Sequence, residues 1–198
     1  MTDAGLLEAA SKNLISEFEE WTRSKSQINT FLKLVDAVID TLQKKRKLIF
    51  FGNGGSAAEA SHLAGEFIGK CEQDVGAQPA ISLTDSGVLL TAISNDWSYE
   101  EVFCRQLKAL AQPGDMAIGL STSGTSKSVL SALQLGKTLE LQTSLWTSTR
   151  YTDGLGVIDY LIKVPSLRTP RAQEIHLFIG HTLCEYVESA FNPGKQRL

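Results

Sequence analysis

The chain has 198 residues, 42% of them hydrophobic and 21% charged, which suits one well-buried α/β domain and is short for two. A formal charge of −3 argues against an extended nucleic-acid surface, and no segment is long and apolar enough to predict a membrane span. The first residues lack the apolar core of a signal peptide, and the three cysteines are scattered along the chain. We therefore expect a cytoplasmic protein with reduced thiols and with no nucleic-acid or membrane partner.

Residues 4–46 predict two helices, because apolar residues recur there at helical spacing. The second helix is apolar over more than a narrow stripe, so it needs partners on more than one side. Burial between protomers would satisfy this need, and so would packing on the chain's own sheet. We expect a single domain over residues 1–198, in which 1–46 form N-terminal helices used in oligomerisation.

From residue 47 onward, short apolar segments alternate with helical stretches. The pattern predicts strands at 47–51, 79–83, 116–120, 143–146 and 160–164, and helices at 57–69, 87–93, 99–112, 126–138 and 170–190. Such alternation is typical of parallel strands joined by right-handed helical crossovers. The predicted fold class is α/β: a three-layer sandwich with a mainly parallel five-stranded sheet flanked by helices, plus the N-terminal helical pair.

The first predicted strand ends in a glycine-rich turn, Gly52-Asn53-Gly54-Gly55-Ser56, and a helix follows at once. In an open α/β sheet, free amides at such a helix N-terminus face the ligand crevice, and the glycines let a ligand approach the main chain. The spacing matches neither the dinucleotide fingerprint nor a P-loop. This turn alone leaves phosphate or sugar binding and a purely structural role equally open.

A second loop, Ser121-Thr122-Ser123-Gly124-Thr125-Ser126, follows the third predicted strand. Thr125 or Ser126 is a natural N-cap for the next helix, whose first amides can bind an anion. An ordinary N-cap would not need the three hydroxyls upstream of it. Two crevice loops of this type favour a phosphorylated small molecule as the ligand.

Several segments, taken jointly and in order, resemble the bacterial phosphoheptose (sedoheptulose 7-phosphate) isomerase family and its sugar-isomerase domain. They are Gly52 to Ser56, His62-Leu63-Ala64-Gly65-Glu66, Leu90 to Asp96, Gly119 to Ser126, and Thr169 to His176 with Gly180-His181. The resemblance extends to about residue 190. It implies that the protein is an isomerase of a phosphorylated sugar. It also implies a homotetramer whose active sites lie at the interfaces between subunits.

His62 and Glu66 are four residues apart on one predicted helix, so both project from the same face. Such a pair can share a divalent metal or exchange a proton, although most pairs of this kind are ordinary surface residues. The resemblance implies that Glu66 and His181 are the catalytic acid/base residues. It also implies that His62, Glu66, Gln173 and His181 can hold one Zn²⁺ per site.

Gln173 and His181 lie eight residues apart on the last predicted helix, about 12 Å along its axis. This separation is large for two ligands of one small centre. Contributions from different protomers would resolve the difficulty, in agreement with the interfacial sites that the resemblance implies. His176 has no role in the resemblance and is interpreted as structural.

The implied reaction converts sedoheptulose 7-phosphate to D-glycero-D-manno-heptose 7-phosphate through a cis-enediol. Glu66 is the candidate for the carbon-bound proton, and His181 suits the partner role because an imidazole titrates near neutral pH. Zinc would polarise the carbonyl and enediol oxygens. The predicted substrate-binding residues are Asn53, Gly54, Gly55, Ser56, Asn95, Asp96, Ser121, Thr122, Ser123, Ser126 and Gln173.

The chain departs from the family pattern at three places. Arg168 stands where many members carry an acidic residue, Lys70 stands where an arginine is usual, and the stretch 143–152 lacks a glycine-rich turn. Lys70 keeps the charge but loses the bidentate geometry with which arginine binds phosphate. These departures bear on which sugar is used and leave the phosphosugar class intact.

Two alternatives to a heptose isomerase remain. A non-catalytic relative that binds the bacterial replication initiator would lack the acid and imidazole that this chain has at Glu66 and His181. An isomerase or sensor of another phosphosugar is the second alternative. Sensors of this kind usually carry a DNA-binding segment, and residues 1–46 show no helix-turn-helix pattern.

Overall fold

Five parallel strands form one sheet in the computed structural model, which describes residues 4–149, 151 and 156–192. The strands are β1 Leu48–Gly52, β2 Ala80–Ser82, β3 Met116–Leu120, β4 Gln142–Ser148 and β5 Tyr160–Val164. The α-helices are α1 Gly5–Arg23, α2 Lys25–Gln43, α3 Gly55–Ile68, α4 Gly87–Asp96, α5 Val102–Leu110, α6 Lys127–Thr138 and α7 Thr169–Phe191. The ends of the expected 1–198 domain, and residues 150 and 152 of the stretch without a glycine turn, lie outside the described residues.

The predicted alternation of strands and helices is confirmed, with two informative differences. The stretch 99–112, predicted as one helix, is a 3₁₀ turn at Tyr99–Glu101 followed by α5, which stops short of Pro113. Strand β4 is longer than predicted because it pairs with β3 over residues 142–146 and with β5 over 144–148. Pairing on both edges thus extends β4 beyond its most apolar residues.

The sheet separates two hydrophobic cores, as a three-layer sandwich requires. Along β1, Leu48 and Phe50 face α2, α3 and α7, while Ile49 and Phe51 face α5 and α6. Every residue of β1 is buried, as expected for a parallel strand covered on both sides. The predicted α/β sandwich with an N-terminal helical pair is confirmed.

Helix α2 packs on the chain's own sheet. Its buried residues include Phe31, Leu34 and Val38, which contribute to the core shared with α7 and the sheet. Helix α1 lies outside α2 and keeps Leu6 and Leu7 exposed at 78% and 72%. The use of residues 1–46 in oligomerisation stays a prediction.

The strand order β2-β1-β3-β4-β5 determines where a ligand can bind. From β1 the chain crosses to β2 on one side, and from β3 it crosses to β4 on the other, so β1 and β3 flank a topological switch point. Helix α3 packs on one face of the sheet and α6 on the opposite face. The two predicted ligand loops therefore meet at the crevice between the carboxyl ends of β1 and β3.

Candidate active site

The glycine-rich turn after β1 has the geometry of an open ligand loop. Gly54 adopts φ +58° and ψ −122°, a conformation that residues with a side chain rarely adopt. Gly54 and Gly55 are exposed, whereas Ser56 is buried in the first turn of α3. A Cβ atom at Gly55 would overlap the carboxamide of Gln173, which comes from α7. The turn therefore brings a predicted substrate residue of α7 against the start of α3.

The hydroxyl-rich loop after β3 leaves the start of α6 open. Ser126, rather than Thr125, occupies the N-cap position of α6. None of the described side chains, however, accepts a capping hydrogen bond from the first amides of this helix. The Ser126 hydroxyl instead accepts a hydrogen bond from Asn53 Nδ2 at 2.6 Å, and Ser128 accepts a second from the same nitrogen at 3.0 Å. The first amides of α6 are thus available to an anion, and Asn53 ties the two loops together.

A groove of about 320 Å³ opens between these two loops. Tyr99 donates from its hydroxyl to Asn53 Oδ1 at 2.7 Å and thereby orients the Asn53 amide. Lys127 contributes a cation directly after the hydroxyl-rich loop. Sequence reasoning missed both residues, although a lysine directly after a phosphate-type loop was available as a signal for Lys127. The groove is lined by Asn53, Ser98, Tyr99, Glu100, Ser126, Lys127 and Ser128.

Three of the four predicted metal ligands meet within one chain. His62 Nε2 lies 2.7 Å from His181 Nε2 and 3.5 Å from Glu66 Oε1. One ligand atom from each of the three side chains lies within 4.8 Å of the others. We call these residues the His–Glu–His cluster; His62 is exposed, and the other two members are half-buried.

The packing of α3 against α7 creates this cluster. His62 and Glu66 are one turn apart on α3, and α7 presents His181 to them. Gly180 permits this close approach, because a Cβ atom there would overlap the Leu63 side chain. Two imidazoles and a carboxylate suit Zn²⁺, and three protein ligands with an open position are typical of catalytic zinc sites. The residues present therefore fit the predicted metal.

Gln173 does not join the His–Glu–His cluster within one chain. Its carboxamide lies beside Gly55, and Gly55 is seven residues, about 10 Å, before His62 along α3. The structure thus places Gln173 with the glycine-rich turn, where a substrate role is natural. A metal-binding role for Gln173 stays a prediction that requires a neighbouring copy.

The remaining predicted substrate positions lie at the end of α4 and in the hydroxyl-rich loop. Asn95 and Asp96 are exposed at the end of α4, where Asn95 Nδ2 donates to Asp96 Oδ1 at 2.9 Å. Ser121 is buried, and Thr122 and Ser123 are half-buried in the loop after β3.

Two of the three departures from the family pattern, at positions 70 and 168, lie at helix ends. Lys70 is exposed just past α3, and Arg168 is exposed at the N-cap of α7.

A buried acid–imidazole pair lies close to the cluster. Glu59 and His176 are 4% and 0% exposed. Burial raises the pKa of Glu59 to about 8, partly offset by the Ser56 hydroxyl. Burial lowers the pKa of His176 to about 4, partly offset by the Thr147 carbonyl. Burial therefore favours the neutral form of both side chains, and sequence reasoning missed Glu59 altogether.

Comparison with known proteins decides the family. The SIS domain profile matches residues 10–148. The chain is 40% identical to the phosphoheptose isomerase of Thermodesulfovibrio yellowstonii over 176 residues, 86% of this chain and 88% of that protein. It is 45% identical to the phosphoheptose isomerase of Paramagnetospirillum magneticum over 164 residues, 83% of this chain and 85% of that protein. The chain belongs to the phosphoheptose isomerase family of SIS domain proteins.

Solved phosphoheptose isomerase structures share the whole architecture. The enzyme from Neisseria gonorrhoeae superposes with a TM-score of 0.85 at 30% identity, covering 95% of this chain and 100% of that one. The enzyme from Francisella tularensis superposes with a TM-score of 0.88 at 25% identity, covering 96% of this chain and 100% of that one. The resemblance found in the sequence is thereby confirmed for both the fold and the family.

Proposed function

We propose that this phosphoheptose isomerase family member converts sedoheptulose 7-phosphate to D-glycero-D-manno-heptose 7-phosphate. The observation that carries the proposal is the meeting of Glu66 and His181 in one cluster, in a chain 40% identical to a phosphoheptose isomerase over 176 residues. The alternative of a non-catalytic relative is not favoured, because the acid and the imidazole are both present and close together.

The substrate phosphate binds at the hydroxyl-rich loop. The first amides of α6 and the loop hydroxyls donate to its oxygens, and Lys127 adds a positive charge beside them. Asn53, which is held by Tyr99 and Ser126, faces the same groove and orients sugar hydroxyls. This binding fixes the anionic end of the sugar and leaves its carbonyl end free to reach the cluster.

Proton transfer follows the requirements of a ketose–aldose conversion. Glu66 removes the proton from C1 of the ketose, and His181 donates a proton to O2, which gives the cis-enediol. His181 then takes the proton from O1, and Glu66 returns its proton to C2, which leaves an aldehyde at C1. Each residue ends in its starting protonation state, so the two suffice for a full turnover.

The His–Glu–His cluster would hold Zn²⁺ in the state in which both imidazoles are neutral and Glu66 is ionised, as its donor set and spacing support. When bound, the metal supplies electrophilic polarisation of the sugar oxygens at C1 and C2. Metal content is measured by elemental analysis of the purified protein. Replacement of His62 by alanine is expected to lower that content together with kcat, and undiminished zinc in this variant would contradict the assignment.

We further propose a cytoplasmic homotetramer with active sites at its interfaces. Two observations support interfacial sites: the exposed leucines of α1, and the placement of the Gln173 carboxamide beside Gly55, which lies about 10 Å before His62 along α3. Among the described helices, none is long and apolar enough to cross a membrane. The phosphorylated sugar is the only small-molecule partner that the proposal requires.

The decisive experiment incubates the protein with sedoheptulose 7-phosphate, uses other ketose phosphates as controls, and follows aldose formation. Glu66→Gln and His181→Ala should each lower kcat by about 10²- to 10⁴-fold without a large change in Tm. Glu185→Gln, an exposed acid one turn beyond His181 on α7, is the matched control and should keep full activity. Turnover of a different ketose phosphate alone would instead favour an isomerase of that sugar.

Mixing inactive variants tests whether sites are shared between copies. Glu66 and His181 meet within one chain, so mixed Glu66→Gln and His181→Ala chains should stay inactive. If Gln173 serves a neighbouring copy, mixing Gln173→Ala with Glu66→Gln should restore part of the activity, because some sites then receive both native residues. No recovery at any ratio in the second mixture would contradict interfacial sharing of Gln173.

A further inference from the structure

Glu59 and His176 face each other across the interface of α3 and α7. His176 Nδ1 lies 3.7 Å from Glu59 Oε1, and His176 Nε2 lies 3.3 Å from the Thr147 carbonyl oxygen. The Trp146 ring packs against the imidazole at a centroid distance of 6.1 Å. The pair is therefore enclosed by two helices and the end of β4.

Three polar atoms of this pair are buried without a hydrogen bond among the residues that the structure describes: both carboxyl oxygens of Glu59, and Nδ1 of His176. The Ser56 hydroxyl acts on the Glu59 carboxyl from the first turn of α3, and His176 Nδ1 lies 3.7 Å from Glu59 Oε1, slightly beyond hydrogen-bonding range. Leaving one such atom unsatisfied costs about 1–3 kcal/mol, whereas an apolar pair of similar size would carry no such cost. Packing alone thus does not explain an acid and an imidazole at this place.

The location of the pair relates it to the active site. Glu59 is less than one helical turn before His62 on α3, and His176 is about 1.4 turns before His181 on α7. The two helices of the pair are thus the two helices of the cluster. A link between them here limits how far they can slide or rotate against each other.

We propose that Glu59 and His176 are positioning residues of the isomerase, which pair across the α3–α7 interface and hold His62 and His181 in register. The role rests on the function proposed for the His–Glu–His cluster. Misplacement of a reacting group by about 1 Å is enough to lower a rate about 10²-fold. Loss of the link therefore lowers kcat with little effect on substrate binding, since the phosphate is held elsewhere.

The chemistry of the link is that of a neutral pair. His176 keeps its proton on Nε2 and donates it to the Thr147 carbonyl oxygen, so Nδ1 is left as an acceptor. When the 3.7 Å separation between Glu59 Oε1 and His176 Nδ1 closes to hydrogen-bonding range, the protonated carboxyl of Glu59 donates to that nitrogen. Glutamine at position 59 has an amide N–H that can replace this donor, whereas leucine has a similar size and no donor.

Steady-state kinetics of Glu59→Gln and Glu59→Leu test the link. We expect Glu59→Gln to keep kcat within about threefold of the unmodified chain, and Glu59→Leu to lower kcat about 10- to 100-fold with KM within about threefold. Val187→Ala, which removes buried apolar volume from α7 away from the pair, is the matched control for lost packing. An active Glu59→Leu variant, or equal losses in all three variants, would overturn the proposal.

NMR of the imidazole nitrogens provides a readout that is independent of turnover. The chain has three histidines, so the spectrum contains three sets of imidazole signals. The His176 set is the one that remains when His62 and His181 are replaced in turn. We expect His176 to be neutral with its proton on Nε2, and Glu59→Leu, but not Glu59→Gln, to shift the signals of His62 and His181. A proton on Nδ1 of His176 in the unmodified chain overturns the proposal even where Glu59→Leu fails to fold. If the chain does not turn over sedoheptulose 7-phosphate, the function proposed above fails, and this spectrum still decides the role of the pair.

Discussion

Replacement of Gly55 by alanine separates the substrate role of Gln173 from any effect on folding. An ideal Cβ atom at position 55 lies 2.8 Å from Gln173 Oε1 and 2.9 Å from Gln173 Cδ, closer than real Cβ contacts. The obstructing group is the end of a flexible side chain, so it can swing away. The variant is therefore expected to fold normally with Gln173 displaced from the glycine-rich turn.

The expected magnitudes differ between stability and activity. Gly55 is the first residue of α3, so alanine there gains at most the preference of about 0.5–1 kcal/mol that it has over glycine in the middle of a helix, and this gain offsets part of the cost of moving Gln173. The free energy of unfolding should thus change by less than about 1 kcal/mol. Activity should fall about 10- to 100-fold in kcat/KM, or about 1.4–2.7 kcal/mol of transition-state stabilisation.

Urea unfolding and steady-state isomerisation of sedoheptulose 7-phosphate measure the two effects. Gly65→Ala is the matched control on the same helix, because a Cβ atom there meets no heavy atom within 4 Å in the part of the chain that the structure describes. It should be slightly stabilised and fully active. The reasoning is refuted if Gly55→Ala keeps its kcat/KM, or if it loses activity only together with several kcal/mol of stability.

Three further predictions concern packing, pH and the phosphate loop. Gly180→Ala should lower the free energy of unfolding by about 1–3 kcal/mol, because its Cβ atom would overlap the Leu63 side chain. Urea unfolding measures this loss, and an unchanged midpoint would show that α3 and α7 are packed less closely than the structure indicates. Folding raises the pKa of Glu59 from 4.5 to about 8, so between these pH values the native state binds more protons than the unfolded state and stability falls as pH rises. Because glutamine does not titrate, the free energy of unfolding of Glu59→Gln should increase relative to that of the unmodified chain by up to about 2 kcal/mol as the pH rises from 6.5 to 8. Urea unfolding across this pH range measures the difference, and parallel curves for the two proteins would contradict a protonated Glu59 in the native state. Ser126→Ala removes the acceptor of Asn53 at 2.6 Å and should raise KM for the phosphosugar more than it lowers kcat, whereas a change confined to kcat would argue against a binding role.

Some of the candidate site was predictable because local rules determine it. The positions of Gly54 and Ser126 follow from turns between a buried strand and a helix, and these turns depend on a few neighbouring residues. The shared face of His62 and Glu66 follows from helical periodicity alone. Tyr99 was missed because its role depends on Asn53, which is 46 residues away in the chain.

The sequence by itself determined the α/β class, the two ligand loops and the His62–Glu66 face, because strand patterning, glycine conformation and helix periodicity act over a few residues. Only the tertiary structure decided which of the distant side chains meet. The close packing of α7 on α3 brings His181 to His62 across 119 positions, and it sends Gln173 to the glycine-rich turn instead. It also buries Glu59 against His176. Such meetings depend on how two helix surfaces fit together, and no periodicity within either helix encodes that fit.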